Sequence, residues 1–119
     1  MAQKVIFHPA IASEDLPKLH RQFPDRGRQI LRQIHAAISE IIAGIGVPQS
    51  DMEPPYKGWY RKKFLSSTRP SLGSRADLRL IYQFSDDHSE LRVLAVGRRL
   101  PGDPDDVYAV HVTRPQSFG

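Results

Sequence analysis

The chain has no cysteine, which excludes disulfides, a thiolate metal site and a thiol nucleophile. It has no apolar run near the roughly 20 residues of a membrane-spanning helix. After Met1-Ala2-Gln3-Lys4 it also lacks the shorter apolar core of a secretory leader, so a cytoplasmic protein with no membrane partner is expected. It has no internal repeat and no low-complexity tract. Its 119 residues leave room for one domain, expected to span 1–119. Residues for a metal centre are poorly grouped: His8, His20, His35, His88 and His111 are scattered. Asp103, Asp105 and Asp106 lie among Pro and Gly and read as a polar turn. No metal or cofactor is expected.

What is present is a segregated charge. Residues 1–56 balance, with Lys4, Lys18, Arg21, Arg26, Arg28 and Arg32 against Glu14, Asp15, Asp25, Glu40, Asp51 and Glu53. Residues 57–99 carry Lys57, Arg61, Lys62, Lys63, Arg69, Arg75, Arg79, Arg92, Arg98 and Arg99 against only Asp77, Asp86, Asp87 and Glu90. The net charge of +4 therefore arises in one region. Clustered cations of this kind either attract a polyanion or form a solvated face.

Periodicity gives the elements. Lys4 to His8 reads as a short strand stopped by Pro9. Ser13-Glu14-Asp15 reads as a helix start, a capping hydroxyl followed by acids in the positive first turn, with the helix ending near Gln22. Ile30, Ile34, Ile38 and Ile41 form the apolar stripe of a longer helix, widened by Leu31, Ile42 and Ile45 and closed by Gly44 and Gly46. Val47 to Pro55 is a polar connection. Trp59–Leu65 and Leu78–Phe84 then alternate with period two, and Leu91–Gly97 forms another strand. Ser66 to Asp77 reads as a long exposed loop.

This predicts an α+β fold: two N-terminal helices packed on one face of a small, mainly antiparallel sheet, in the order β-α-α-β-β-β. The other face is expected to stay wet and to carry Arg61, Lys63 and Arg79. Lys62 falls on the inward side, unless a bulge shifts the register and exchanges it with Lys63.

Trp59-Tyr60-Arg61-Lys62-Lys63-Phe64, Leu78-Arg79-Leu80-Ile81-Tyr82-Gln83, Val93-Leu94-Ala95-Val96-Gly97-Arg98-Arg99 and Asp106-Val107-Tyr108 together resemble the RelE/ParE toxin superfamily of bacterial toxin–antitoxin pairs. The resemblance covers residues 4 to 108. RelE-like members are ribosome-dependent mRNA endonucleases, and ParE-like members inhibit DNA gyrase. The RelE set of basic residues and a tyrosine falls on Arg61, Lys63, Arg79, Arg99 and Tyr108, which favours the nuclease branch. A gyrase inhibitor and a non-toxic, binding-only member are the alternatives. Arg61 stands where the best-known members have lysine. The 66–77 loop is longer than a typical RelE hairpin, and extra residues separate Arg99 from Tyr108.

The resemblance implies mRNA on the ribosome as substrate and a cognate antitoxin that joins the toxin in a hetero-oligomer. RNA can be cut without a metal when its 2′-hydroxyl attacks the adjacent phosphate. That needs a base, positive charge for the phosphorane and a proton for the leaving oxygen. A lysine serves as base when neighbouring cations lower its pKa from about 10.4. Lys63 is the candidate base, Arg79 the transition-state clamp and Arg61 a phosphate holder. The resemblance implies a place for Arg99 near the leaving group, with Tyr108 to stack on a base or bond the ribose. Lys62 and Arg98 are further candidates for phosphate binding.

Overall fold

β1 (Lys4–Phe7) opens the chain and stops at Pro9, whose missing N–H ends strand pairing. A π-helical turn over Ile11–Asp15 leads into α1 (Leu16–Gln22). The turn widens because Pro17 has no N–H to give the carbonyl four residues back, and its ring crowds that carbonyl. α2 (Gly27–Ala43) ends at Gly44 in the left-handed region, at φ 79°. β2 (Tyr60–Phe64), β3 (Leu78–Phe84), β4 (Glu90–Arg98) and α3 (Val107–Thr113) complete the order. The computed structural model describes residues 4–44, 58–68 and 73–115. Ile45, Gly46 and the connection expected from Val47 to Pro55 lie outside the described residues.

The sheet runs β1-β4-β3-β2. β2–β3 and β3–β4 are antiparallel, while β1 lies parallel to β4 from Lys4↔Glu90 to Phe7↔Val93, so the sheet is mixed. α1 and α2 cover one face. There Ile30, Ile34, Ile38 and Ile41 meet Phe64, Leu78, Leu80, Tyr82, Leu91 and Val93 in the main core. Leu31 does not widen this stripe, for its side chain is 47% exposed.

The second face is not left wet. Ile81 pairs with Ala95 but Tyr82 with Val93, a bulge that places both Leu94 and Ala95 in the core of that face. With Trp59 and Ile81 they form an apolar patch, and Val107 of α3 closes over it. The expected order lacked this third helix. It forms because Asp106 caps it, accepting the Tyr108 N–H at 3.1 Å, and because burying the patch offsets the ordering of a short helix.

The start expected at Ser13 is also corrected. The Ser13 hydroxyl donates to the Pro9 carbonyl at 3.3 Å instead of capping. Asp15 turns inward, where it is 4% exposed. Its two carboxylate oxygens each accept a guanidinium N–H of Arg114 at 2.8 Å. β4 extends past the end of β1, which leaves backbone groups along that edge without a strand partner. Asp15 accepts the Val96 N–H at 3.0 Å, and Arg114 donates to the Leu94 carbonyl at 3.0 Å.

The 66–77 segment is anchored at its ends. Ser66 is buried and bonds Asp77 through both backbone and hydroxyl, at 2.8 and 2.6 Å. Gln29 of α2 accepts from the Ser67 hydroxyl and the Thr68 N–H, and Gln33 donates to the Ser67 carbonyl. The start of the segment therefore lies against α2, on the side of the sheet away from the second face.

Asp15→Ala is expected to lower the unfolding free energy by about 3–5 kcal/mol, because it strands a buried arginine. Ser13→Ala should stay within about 0.5 kcal/mol of the wild type. Urea denaturation of the two variants checks both. His111 gives a pH dependence. It lies edge-on to Trp59, with ring centroids 5.8 Å apart, and burial, then the Arg114 cation, pushes its pKa down from 6.5 to about 4. The unfolded chain takes up this proton near 6.5 and the folded one only near 4, so stability falls as pH drops through that interval. The loss should reach about 3 kcal/mol at most, and His111→Phe should remove it. Denaturation followed by the single tryptophan's fluorescence at a series of pH values measures it.

Candidate nucleic-acid interface

Alternation along β2 decides which cations share a face. Tyr60, Lys62 and Phe64 turn toward α2, while Arg61 and Lys63 are exposed on the second face. No bulge interrupts β2–β3, whose register runs unbroken from Tyr60↔Tyr82 to Phe64↔Leu78. Lys63 is therefore directly opposite Arg79, and Arg61 opposite Ile81. Paired residues of this kind have Cβ atoms about 5 Å apart. Arg61 and Lys63 sit two residues apart on one face, about 7 Å along the strand. Neither forms an ion pair among the described residues.

Arg79 is half-buried and partly committed. Its Nη1 donates to the carbonyls of Ala76 and Leu78 at 2.9 and 3.0 Å, which holds the side chain back toward the start of β3. Its Nε is buried without a hydrogen-bond partner among the described residues. Gly97 faces Arg79 from β4, and a Cβ there would meet the Val107 side chain at 3.3 Å. Glycine thus lets the first turn of α3 sit directly beside the arginine.

Arg99 continues this surface. Its N–H donates to the Asp77 carbonyl at 2.9 Å, which sets it diagonally from Arg79. Its guanidinium pairs with Asp106 at 2.8 Å and lies over the Tyr108 ring, 4.7 Å from the centroid. The additional residues between Arg99 and Tyr108 fold back as a turn. In that turn Asp103 accepts the Asp105 N–H at 2.8 Å, and Asp105 pairs with Lys18 at 3.2 Å. The turn returns Tyr108 to Arg99. Asp106, 4% exposed, also accepts the Leu100 N–H. It is the organising residue of this corner, and an aspartate just before an apolar helical turn was the signal for it.

Arg61, Lys63, Arg79, Arg99 and Tyr108 thus share one face. Lys62 and Arg98 stand on the opposite face: Lys62 is buried against Glu40 at 3.4 Å, and Arg98 lies over the Phe23 ring at 5.1 Å. Three of the histidines are committed elsewhere. His8 accepts the Ala10 N–H at Nδ1 and donates from Nε2 to the Pro115 carbonyl. His88 packs on Phe84, and His111 on Trp59.

The electrostatics favour an anion over this strip. Like charges directly opposite across two strands destabilise a sheet by a few tenths to about 1 kcal/mol, and a phosphate bridging them reverses the sign. Lys63→Gln keeps a flexible polar side chain and removes the repulsion, so it is expected to raise stability by up to about 1 kcal/mol at low salt, with a smaller gain at high salt. Thermal denaturation of this variant at two ionic strengths tests it.

No family model, no curated protein and no solved structure matches this chain.

Proposed function

We propose that the chain is the toxin of a RelE/ParE-type toxin–antitoxin pair and cleaves mRNA on the ribosome without a metal. The observation that carries this reading is Lys63 directly opposite Arg79 on an exposed strand surface. The element order and the placing of Arg61, Arg99 and Tyr108 on the same face support it, since these are the features the resemblance implies.

In this reading Lys63 enters the reaction as its neutral amine: it takes the proton of the 2′-oxygen as that oxygen attacks phosphorus, and the bond to the 5′-oxygen breaks to leave a cyclic phosphate. Arg79 and Arg61 stabilise the charge on the phosphorane oxygens. Arg99 is held by Asp106, so it supplies charge and position, and the leaving oxygen takes its proton from water or the ribosome. Tyr108, braced by Arg99, offers its ring to a base or ribose. An antitoxin that folds onto the toxin in a cytoplasmic hetero-oligomer would cover this strip. The second reading is a gyrase-inhibiting or binding-only member. The Arg99–Asp106 pair favours it, because it neutralises one of the cations.

Induced expression in a bacterial host, with primer extension on cellular mRNAs, tests the proposal. Cuts within translated codons are expected for the wild type and none for Lys63→Ala/Arg79→Ala. Growth arrest and cleavage that both persist in the double variant would overturn the assignment, and arrest without cuts would support the second reading.

A further inference from the structure

At the opposite end of the strands, on the face turned toward α1 and α2, a cleft of about 410 Å³ is lined by rings. This lies in the size range of small-ligand sites. Tyr60 stacks on Tyr82 with centroids 5.8 Å apart at 29°, and Phe84 meets Tyr82 edge-on at 6.0 Å. His88 lies tilted over Phe84 at 5.3 Å. The Tyr82 side chain is fully buried, yet its hydroxyl has no hydrogen-bond partner among the described residues. Burial, then the neighbouring Tyr60, pushes its pKa up to about 12, so it keeps its proton and is a donor in want of an acceptor.

The rim of the cleft is fixed. Asp87 accepts from the Ser85 hydroxyl and from both the N–H and hydroxyl of Ser89, bonds that hold its carboxyl down to about 2. The Ser85 hydroxyl accepts the Glu90 N–H, and the His88 N–H donates to the Ser85 carbonyl. His88 has φ 60°, the only non-glycine residue in the left-handed region among the described residues. An imidazole stands where glycine would be the least strained choice. Gln83 is anchored through its Nε2 to the Gly58 carbonyl at 2.8 Å, which leaves its Oε1 as an acceptor. Asp86, at the lip, supplies a further acceptor.

We propose that this cleft binds a nucleobase: a flat nitrogen heterocycle stacked on the Tyr60, Phe84 and His88 rings, taking the Tyr82 hydroxyl on a ring or carbonyl acceptor and presenting N–H groups to Asp86. Each part of the lining selects for that chemistry. Stacked and edge-on rings favour a planar π-face. Among the described residues no lysine or arginine lines the cleft and an aspartate does, which favours an N–H edge over a phosphate or carboxylate there. An aliphatic group or a phenyl side chain would fill the space but leave the Tyr82 hydroxyl unsatisfied. The site lies on the face opposite Lys63 and Arg79, and it stands whether or not the chain is a toxin.

The test uses the full chain, the four ribonucleosides and a short unstructured oligoribonucleotide, followed by NMR of the aromatic side chains. Saturable shifts are expected at Tyr60, Tyr82, Phe84 and His88 with at least one nucleoside, and none at the Trp59 indole. Asp86→Asn and His88→Gly lie on an exposed turn. Each is expected to weaken binding about tenfold, and His88→Gly to leave thermal stability equal or higher. A purely structural His88 would change stability and not affinity. Equal affinity for nucleoside and oligonucleotide identifies a free base as the ligand, and tighter binding of the oligonucleotide identifies a base within a strand. Absence of shifts at these rings with every probe, or binding undiminished in both variants, overturns the proposal.

Discussion

Asp15 and Arg114 lie 99 positions apart in the chain and meet as a bidentate pair, both nearly excluded from water. Their placement follows from a mismatch of strand lengths. β1 has four residues and β4 nine, so half of one β4 edge lies beyond β1. A second strand would cover such an edge, but Pro9 forbids continuing β1. The carboxylate and guanidinium take its place, one accepting the Val96 N–H and the other donating to the Leu94 carbonyl. Replacing the pair by apolar side chains would leave those two backbone groups unsatisfied, which is why a buried ion pair is retained here despite its desolvation cost.

This constraint reaches the basic face through α3. A helix of seven residues has no stability of its own, so it must be held at both ends. Asp106 holds the start, through Arg99 and the Leu100 N–H. Arg114 and the His8–Pro115 hydrogen bond hold the end. Fixed in this way, α3 seals Trp59, Ile81 and Leu94 and leaves the cations a strip along the β2 side and the Arg99 corner. A surface that is half apolar cover and half cation presents charge beside a low-dielectric wall, where the field is focused rather than spread.

The parts of this legible in the sequence were those with local causes. Period-two alternation put Lys63 outside and Lys62 inside, and the isoleucine spacing gave the core face of α2. What was not legible came from distant partners. Asp15 looked like an acid in a helix's first turn because nothing nearby shows that Arg114 will reach it. Val107-Tyr108-Ala109-Val110 is rich in β-branched residues, so its helix depends on the Asp106 cap and on the patch beneath. The parallel β1–β4 pairing and the Leu94 bulge are properties of strands far apart in the chain. Gln29 and Gln33 carry no mark of the loop they anchor.

Charge segregation, the first functional sign in the sequence, changes meaning once partners are assigned. Of the cations between residues 57 and 99, Lys62 is paired with Glu40, Arg92 with Glu90 and Arg99 with Asp106, while Arg98 stacks on Phe23. Lys57 and Arg69 lie outside the described residues, and Arg75 is exposed. On the second face the surplus reduces to Arg61, Lys63 and Arg79, set by strand register at fixed spacing. A diffuse basic coat would bind any polyanion weakly and at many angles. Three cations held at fixed spacing on adjacent strands are instead compatible with the single oriented phosphate of the proposed reaction. The formal charge therefore overstates the number of cations that remain unpaired on this face.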